Sequence, residues 1–352
     1  MRTLTLTKMI LRLIFIFVLL LAIAWSYACE QKPEKPKEPE EPAKHKLPDL
    51  ADAIPFERLG RGKLVFERIG PLANNYSGVY VVDIDNRRSW GTESDVFDGP
   101  AVSPDGQKIA FSRLAAGATP TLYDIHVMSI NGTNTQNVSK IDGQDRQPSW
   151  TPDSSQILFW VEDTNLYMPL YRQSPVPNPP DRSLIINLGT ISSRRHIEGP
   201  FSVSINNKLV FIMDYQIYTM DFDGRNVVPL TAGASDTYYF YSPSWSPDGQ
   251  KIAYLIVFWE SYQIFKSLEL IVMNADGSNP WSLAKFETNA TGQWAGRNDF
   301  SLCWSPDGSK IAFNKKDGDL ISHIYLVNSD GSGLIQVTFA ESVTDRSVSW
   351  SR

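Results

Sequence analysis

Four-residue apolar runs, each entered through a lysine or glutamine, return along the chain as Lys63-Leu-Val-Phe66, Lys108-Ile-Ala-Phe111, Gln156-Ile-Leu-Phe159, Lys208-Leu-Val-Phe211, Lys251-Ile-Ala-Tyr254 and Lys310-Ile-Ala-Phe313. Short apolar runs bounded by turn residues predict strands buried on both faces. Turn residues precede five of them: Ser103-Pro-Asp-Gly106, Thr151-Pro-Asp-Ser154, Ser204-Ile-Asn-Asn207, Ser246-Pro-Asp-Gly249 and Ser305-Pro-Asp-Gly308. Proline presets φ at the second position, aspartate tolerates the third, and glycine takes positive φ at the fourth. Such a turn predicts a three-residue hairpin loop, folding a first strand ending near Trp245 back onto the strand that starts at Lys251. A third strand recurs as Ile125–Met128, Ile217–Met220, Leu270–Met273 and Ile324–Val327. Three copies run into a second tight turn, Asp221-Phe-Asp-Gly224, Asn274-Ala-Asp-Gly277 and Asn328-Ser-Asp-Gly331.

Each unit is a small antiparallel meander with two apolar faces, which cannot be stable alone. Its anchors at residues 103, 151, 204, 246 and 305 lie 48, 53, 42 and 59 residues apart. That period with several strands per unit predicts propeller blades. Near the start, Lys63–Phe66 and Val79–Val82 match second and third strands with no first strand before them. At the end, Val348-Ser-Trp-Ser351 matches a first strand. One end lacks what the other has in surplus. The expected fold is therefore an all-β, six-bladed β-propeller over residues 58–352, closed by a blade shared between both termini.

Arg2, Lys8 and Arg12 precede the apolar run Leu13–Ala24, and Ser26-Tyr-Ala28 then leads to Cys29. Residues 1–29 read as an export signal, of the lipoprotein type with lipid on Cys29. An ordinary cleaved signal or an uncleaved anchor are the alternatives. Residues 30–57 are dominated by Pro, Glu and Lys and bury too little to fold, so they form a tether. The chain carries a formal charge of −6, which becomes −9 once the three signal cations are lost. An acidic surface excludes nucleic acid as a partner. Cys29 and Cys303 are the two cysteines of the sequence, too few for an internal disulfide framework. Cys303, beside Trp304, reads as a small core residue. His126 falls in the slot held by Tyr80, Tyr218 and Tyr325, a sheet-face position.

The repeated Pro-x-Trp-Ser-Pro-Asp-Gly-x-Lys-Ile-Ala-Phe followed by Ile-Tyr-x-Met-Asn-x-Asp-Gly resembles the blade repeat of TolB-type propellers. Pro243–Gly277 and Leu302–Gly331 carry it most fully. The resemblance implies a six-bladed, exported binding module that works with a protein partner in the bacterial cell envelope, not an enzyme. The blade repeat is also similar to that of propellers gating serine oligopeptidases, but no Gly-x-Ser-x-Gly elbow is present.

Candidate site residues follow from blade geometry. Residues just ahead of each first strand approach the channel mouth: Asp98, Asp145, Arg146, Glu198, Asp236, Asp299, Asp345 and Arg346. A ring of carboxylates with two arginines suits a partner-docking mouth. A second candidate is an aromatic sector of the fifth repeat, Tyr239, Tyr241, Trp259, Tyr262 and Trp294, able to take a glycan, a peptide or a partner. The second tight turns resemble calcium loops, but each offers too few oxygens and no distal glutamate. No motif calls for a cofactor or a metal. A carbohydrate-binding or polysaccharide-degrading propeller is the alternative function; it requires clustered His, Arg and carboxylates, and the chain has four histidines. Blade three contains a proline-rich insert, Ser174–Pro180, which predicts displaced outer strands.

Overall fold

The computed structural model describes residues 54–352 apart from 71–76, 115–121, 140–142, 163–168, 178–180, 188–196, 262–263, 288–299, 318–320, 341–342 and the single positions 95, 234 and 236. A short helical turn, α1 (Phe56–Leu59), precedes β1 (Lys63–Ile69), β2 (Ser77–Asp83) and β3 (Arg88–Ser94). The second repeat is β4 (Val96–Val102), β5 (Lys108–Leu114), β6 (Tyr123–Ser129) and β7 (Gln136–Asn137). The third is β8 (Gln144–Trp150), β9 (Ile157–Glu162), β10 (Pro169–Gln173) and β11 (Ser183–Asn187). The fourth is β12 (Ile197–Val203), β13 (Lys208–Met213), β14 (Gln216–Asp221) and β15 (Val228–Pro229). The fifth is β16 (Tyr238–Trp245), β17 (Lys251–Ser261), β18 (Ile264–Asn274) and β19 (Trp281–Glu287). The sixth is β20 (Leu302–Trp304), β21 (Lys310–Lys316), β22 (Ser322–Asn328) and β23 (Ile335–Gln336), and β24 (Thr344–Ser351) closes the chain.

Repeats two to five are separate four-stranded antiparallel sheets. The remaining strands make one eight-stranded sheet, in which β24 pairs antiparallel with β1 from Lys63–Ser351 to Ile69–Thr344. A single parallel pair, Ser322–Thr344, joins that group to β22. The proline-rich insert of repeat three does not displace its outer strands: it forms the connection between β10 and β11, and the irregularity is a register shift at Leu170/Tyr171. These residues lie in a unit spanning Lys46–Arg352, and none of their helices is long and apolar enough to cross a membrane. The signal, Cys29 and most of the tether lie outside the described residues.

Apolar clusters sit between neighbouring sheets, which is why the central runs are apolar at every position. Leu255, Leu270, Phe300 and Phe313 meet between repeats five and six, while Val65, Val81, Ile109 and Phe111 meet between repeats one and two. Within five repeats the phenylalanine ending the second-strand run stacks on the ring directly opposite. The pairs are Phe66–Tyr80 (5.9 Å), Phe111–His126 (5.9 Å), Phe159–Tyr171 (6.2 Å), Phe211–Tyr218 (6.0 Å) and Phe313–Tyr325 (6.1 Å). Each such pair adds about 0.5–1.5 kcal/mol beyond its burial. His126 thus fills the expected sheet-face position.

The hairpin loops form as their residues predict. Gly106, Ser154, Asn207, Gly249 and Gly308 all take positive φ, between 56° and 71°. In Ser246-Pro-Asp-Gly249, Ser246 Oγ donates to Asp248 Oδ1 at 2.6 Å and accepts from Lys251 N at 2.9 Å. Asp223, Asp276 and Asp330 cap their own second turns by accepting the amide two residues on, at 2.9–3.1 Å. Glycine ends those turns for a packing reason as well as for its φ. A Cβ on Gly224, Gly277 or Gly331 would lie 2.9, 2.9 or 2.7 Å from the carbonyl oxygen of Ile185, Leu230 or Leu283, each on the preceding repeat.

Candidate functional site

Every first strand except β20 is bulged against its partner. Two residues of β24, β8 and β16 stand opposite one at Arg346/Ser349, Arg146/Ser149 and Tyr241/Ser244. In β4 and β12 the irregularity lies between Phe97 and Ala101 and between Glu198 and Ser202. At each bulge one residue is left-handed: Gly99, Gln147, Gly199, Ser242 and Ser347, with φ from 48° to 71°. The three that are not glycine are held at a cost of order 1 kcal/mol each. Prolines 100, 148, 200 and 243 follow four of them, where the ladder lacks a bond for an amide to make.

The bulges turn residues 99–101, 147–149, 200–202, 242–244 and 347–349 onto one cavity of about 170 Å³, which residues 300–303 at the unbulged β20 complete. A wider cavity of about 510 Å³ lies on the hairpin-loop side, walled by Trp150, Trp245, Trp304 and Trp350. Ala101, Ser149, Ser202, Ser244, Cys303 and Ser349 wall both cavities. These six small side chains, one from each repeat, form the waist of a channel.

Hydrogen bonds along the channel run from repeat to repeat. Val102 N donates to Ser349 Oγ (3.1 Å), Trp245 N to Ser202 Oγ (3.2 Å) and Val348 N to Ser301 Oγ (3.0 Å). The Trp150 and Trp304 indoles donate to the carbonyls of Ala101 (2.9 Å) and Ser244 (3.2 Å). In repeats three and six the Trp of the sequence repeat is therefore a link between neighbours. Cys303 is a wall residue of this channel, and burial pushes its thiol up.

The charged residues expected at the mouth fall into distinct places. Asp345 is fully buried and holds Arg68 through two bonds, Nε–Oδ1 at 2.6 Å and Nη2–Oδ2 at 2.8 Å. Arg346 donates to Glu67, itself buried, at 3.0 and 3.3 Å. Both ion pairs join residues directly opposite each other in the β1–β24 ladder. A slip of one residue either way would set Glu67 against Asp345 or Arg68 against Arg346, so like charges forbid it. No turn connects these strands, and the charges do the work that a turn does elsewhere. Asp145 is fully buried in β8. Arg146 donates to Gln144 at 3.1 Å, lies 3.7 Å from Glu162 and covers the Tyr123 ring at 4.9 Å. Asp98 and Glu198 each precede a left-handed glycine in β4 and β12; their side chains, like Asp236 and Asp299, lie outside the described residues.

Beside this ladder, His323 sits buried in β22. Its Nδ1 lies 2.7 Å from Asp317 Oδ2 and its Nε2 3.1 Å from the Ala340 carbonyl. Both partners accept, so only the doubly protonated ring makes both bonds at once, and this geometry favours the imidazolium. Burial alone would push its pKa down; the Asp317 and Ala340 bonds and the charges of Asp317 and Asp345 outweigh it and hold the pKa up. Asp317 also accepts from Lys315 and from the Tyr325 hydroxyl (2.9 Å), and its pKa is lowered. A raised histidine pKa stabilises fully below about 6.5, and that share is lost as pH rises through the raised value. The melting temperature should therefore fall between mildly acidic and mildly alkaline pH, and His323→Gln should flatten that slope. An unchanged slope in the variant would refute the charged histidine.

The expected aromatic sector divides by strand alternation. Tyr241 packs on Phe300 (5.2 Å) and Trp259 on Phe265 (6.1 Å), inside the layer shared with repeat six, and Tyr239 meets Tyr215 (5.4 Å). Tyr262 and Trp294 lie outside the described residues. The intervening residues, Tyr238, Phe240, Tyr254 and Phe258, face repeat four and line a separate cavity of about 360 Å³. Sequence reasoning passed over them, although the period of two in β16 separates the faces. Among the described residues no three His, Cys, Asp or Glu side chains gather as a metal site.

No family model matches the chain. The crystal structure of TolB from Acinetobacter baumannii superposes with a TM-score of 0.63 over 82% of this chain and 66% of that one, at 18% identity. The fold is that of the TolB propellers. A putative TolB from Agrobacterium tumefaciens superposes at 0.50, covering 83% of this chain and all of its own, at 16% identity. In sequence, 138 residues are 27% identical to the Tol-Pal system protein TolB of Anaeromyxobacter dehalogenans. That match covers 39% of this chain and 26% of the relative, so the chain spans about a quarter of the curated TolB it matches.

Proposed function

We propose that this domain is a six-bladed propeller closed by a blade from both chain ends, exported to the bacterial cell envelope, held there by lipid on Cys29, and binding a protein partner at the bulged mouth of its channel. The observation that carries the binding role is the channel itself. Six first strands contribute to one cavity, and bulges hold three non-glycine residues in left-handed backbone at its wall. Backbone strain concentrated at one opening suits a docking surface better than a packed core. The TolB fold and the Tol-Pal name of the matched relatives support an envelope partner. The β1–β24 pairing supports the shared blade. The buried ion pairs leave Asp345 and Arg346 to hold that blade, so docking falls to the mouth's neutral residues, Gln147 and Ser347, and to the rim around them.

The test is affinity capture from native envelopes with the intact domain and with Gln147→Arg and Ser347→Arg, which place a large charged side chain in the mouth, each first checked to melt like the parent. One envelope protein should be retained by the parent and lost by both variants. Capture of the same proteins by all three would sink the mouth as the docking face. In the same preparations Cys29→Ala should move the protein out of the membrane fraction, and retention there would exclude the lipid anchor.

A further inference from the structure

The strands β17 and β18 are eleven residues long, whereas the facing β13 and β14 of repeat four have six each. The fifth sheet therefore outruns its neighbour, and the end of its face is left to form the 360 Å³ cleft. Tyr238, Phe240, Tyr254 and Phe258 give it aromatic walls, with Ile256 and Met273 between them and the segment Leu230–Ala232 along one side. The rings meet at angles rather than in a stack: Tyr238–Phe240 and Phe240–Tyr254 are edge-on at 5.8 Å, and Tyr238–Phe258 is tilted at 5.9 Å. Tyr238 and Phe258 are half-buried, and Phe240 and Tyr254 are buried behind them. A volume of this size falls within the usual range of about 300–1,000 Å³ for small-ligand sites.

Two polar groups bear on what would enter, Tyr254 in the lining and Glu269 beside it, next to the lining residue Ile256. Glu269 lies directly across from Ile256 in the β17–β18 ladder and shares the face of Ile271 and Met273. It is half-buried, yet it makes no hydrogen bond or ion pair among the described residues. Lys285, its opposite number on β19, gives its ammonium to Glu287 at 3.0 Å on the exposed surface. Lys285 also feels the charge of Glu269, but at longer range than its bond to Glu287, and a cation bound closer would further offset the cost of drawing this carboxylate partly out of water. Tyr254 is buried, and its hydroxyl too finds no hydrogen-bond partner among the described residues. Burial, helped by the charge of Glu269, pushes that phenol up to about 12 and keeps it a donor and acceptor. Elsewhere the chain covers its aromatic faces with its own cations, as with Arg88 over Trp90 (5.1 Å), Arg172 over Phe222 (5.1 Å) and Lys251 over Trp281 (5.0 Å). Among the described residues no cation lies over the four rings of the cleft.

We propose that this cleft binds an alkylammonium group, with the aromatic walls receiving its alkyl and charged surface and Glu269 as counter-ion. Aromatic rings with a nearby carboxylate are the arrangement that recognises ammonium ions. The group can arrive on a free amine or on the lysine side chain of a partner, and the chemistry is the same. The site is independent of the channel mouth and of the reading given for it.

The experiment is titration of the intact protein, followed by NMR or calorimetry, with choline, with its neutral isostere 3,3-dimethylbutan-1-ol, and with N-acetyl-lysine methylamide. Choline or the lysine derivative should bind at about 10 mM or below, at least about tenfold tighter than the neutral alcohol. Glu269→Gln should lose about tenfold while melting like the parent, and Phe258→Ala should abolish binding. Tighter binding of the lysine derivative assigns the site to a partner's side chain, and tighter binding of choline to a free amine. Equal binding of the alcohol, or undiminished affinity in Glu269→Gln, would reduce the site to an apolar cleft and overturn the proposal. So would the absence of any binding by the parent protein.

Discussion

Removal of Val348–Arg352 should abolish the single cooperative unfolding transition of the domain. Those residues supply the pairs Ser351–Lys63, Trp350–Leu64 and Ser349–Val65 of the ladder between the chain ends. They also supply two buried side chains, Val348 and Trp350, and the Trp350 indole bond to the Arg61 carbonyl at 2.8 Å. Loss of a buried tryptophan alone costs about 3–5 kcal/mol. With the valine and the ladder bonds added, the total approaches the whole stability of an ordinary domain, about 5–15 kcal/mol. The loss is larger than for an outer strand because β24 has neighbours on both sides. Ser349 accepts the Val102 amide of repeat two, and Val348 N donates to Ser301 of repeat six. Circular dichroism during heating measures the effect, and a truncated protein melting within a few degrees of the parent would show that the shared strand is dispensable.

Arg68→Ala should destabilise the domain by about 3–5 kcal/mol, the usual consequence of leaving one member of a buried ion pair without the other. Asp345 is fully buried and Arg68 nearly so, so water cannot take over the lost partner. The double variant Arg68→Leu/Asp345→Leu should recover most of that loss, because removing both charges removes the uncompensated one. Arg346→Ala should cost less, since its side chain is 17% exposed. Urea titration of the four proteins decides the matter. If the double variant were as unstable as Arg68→Ala, the loss would come from packing and not from the orphaned charge.

How much of this could be read from the residues depends on how far apart the partners lie. The hairpin loops were legible because their determinants are contiguous: Pro, Asp and Gly set their own φ angles, and the apolar run after each loop declares a strand. The link between the two ends was legible because Val348-Ser-Trp-Ser351 repeats a pattern whose role is plain elsewhere in the chain. The bulges were not. Gln147, Ser242 and Ser347 take left-handed backbone without being glycine, so nothing in their identity announces it. The charges ahead of the first strands were visible as charges, but their partners lie 277 and 279 residues away. Only the folded ladder reveals that Asp345 and Arg346 are spoken for. The aromatic residues of β16 showed a third limit. The sector predicted from Tyr239 and Tyr241 left out the other face of the strand, although alternation sends Tyr239 and Tyr241 into one layer and Tyr238 and Phe240 into a cleft.

The direction of the β1–β24 ladder also decides how the domain answers to force. Lys63 and Ser351 lie side by side at one end of it, and the chain leaves β1 and β24 from that same end. A pull on the two chain ends would therefore peel the ladder one pair at a time, instead of shearing all its bonds together. The first pairs to part are Lys63–Ser351 and Leu64–Trp350, followed by Val65–Ser349. The charged pairs Glu67–Arg346 and Arg68–Asp345 come after them, at the far side of the bulge. Under tension the strand would first give up the packing of Trp350 and then meet two ionic catches in succession.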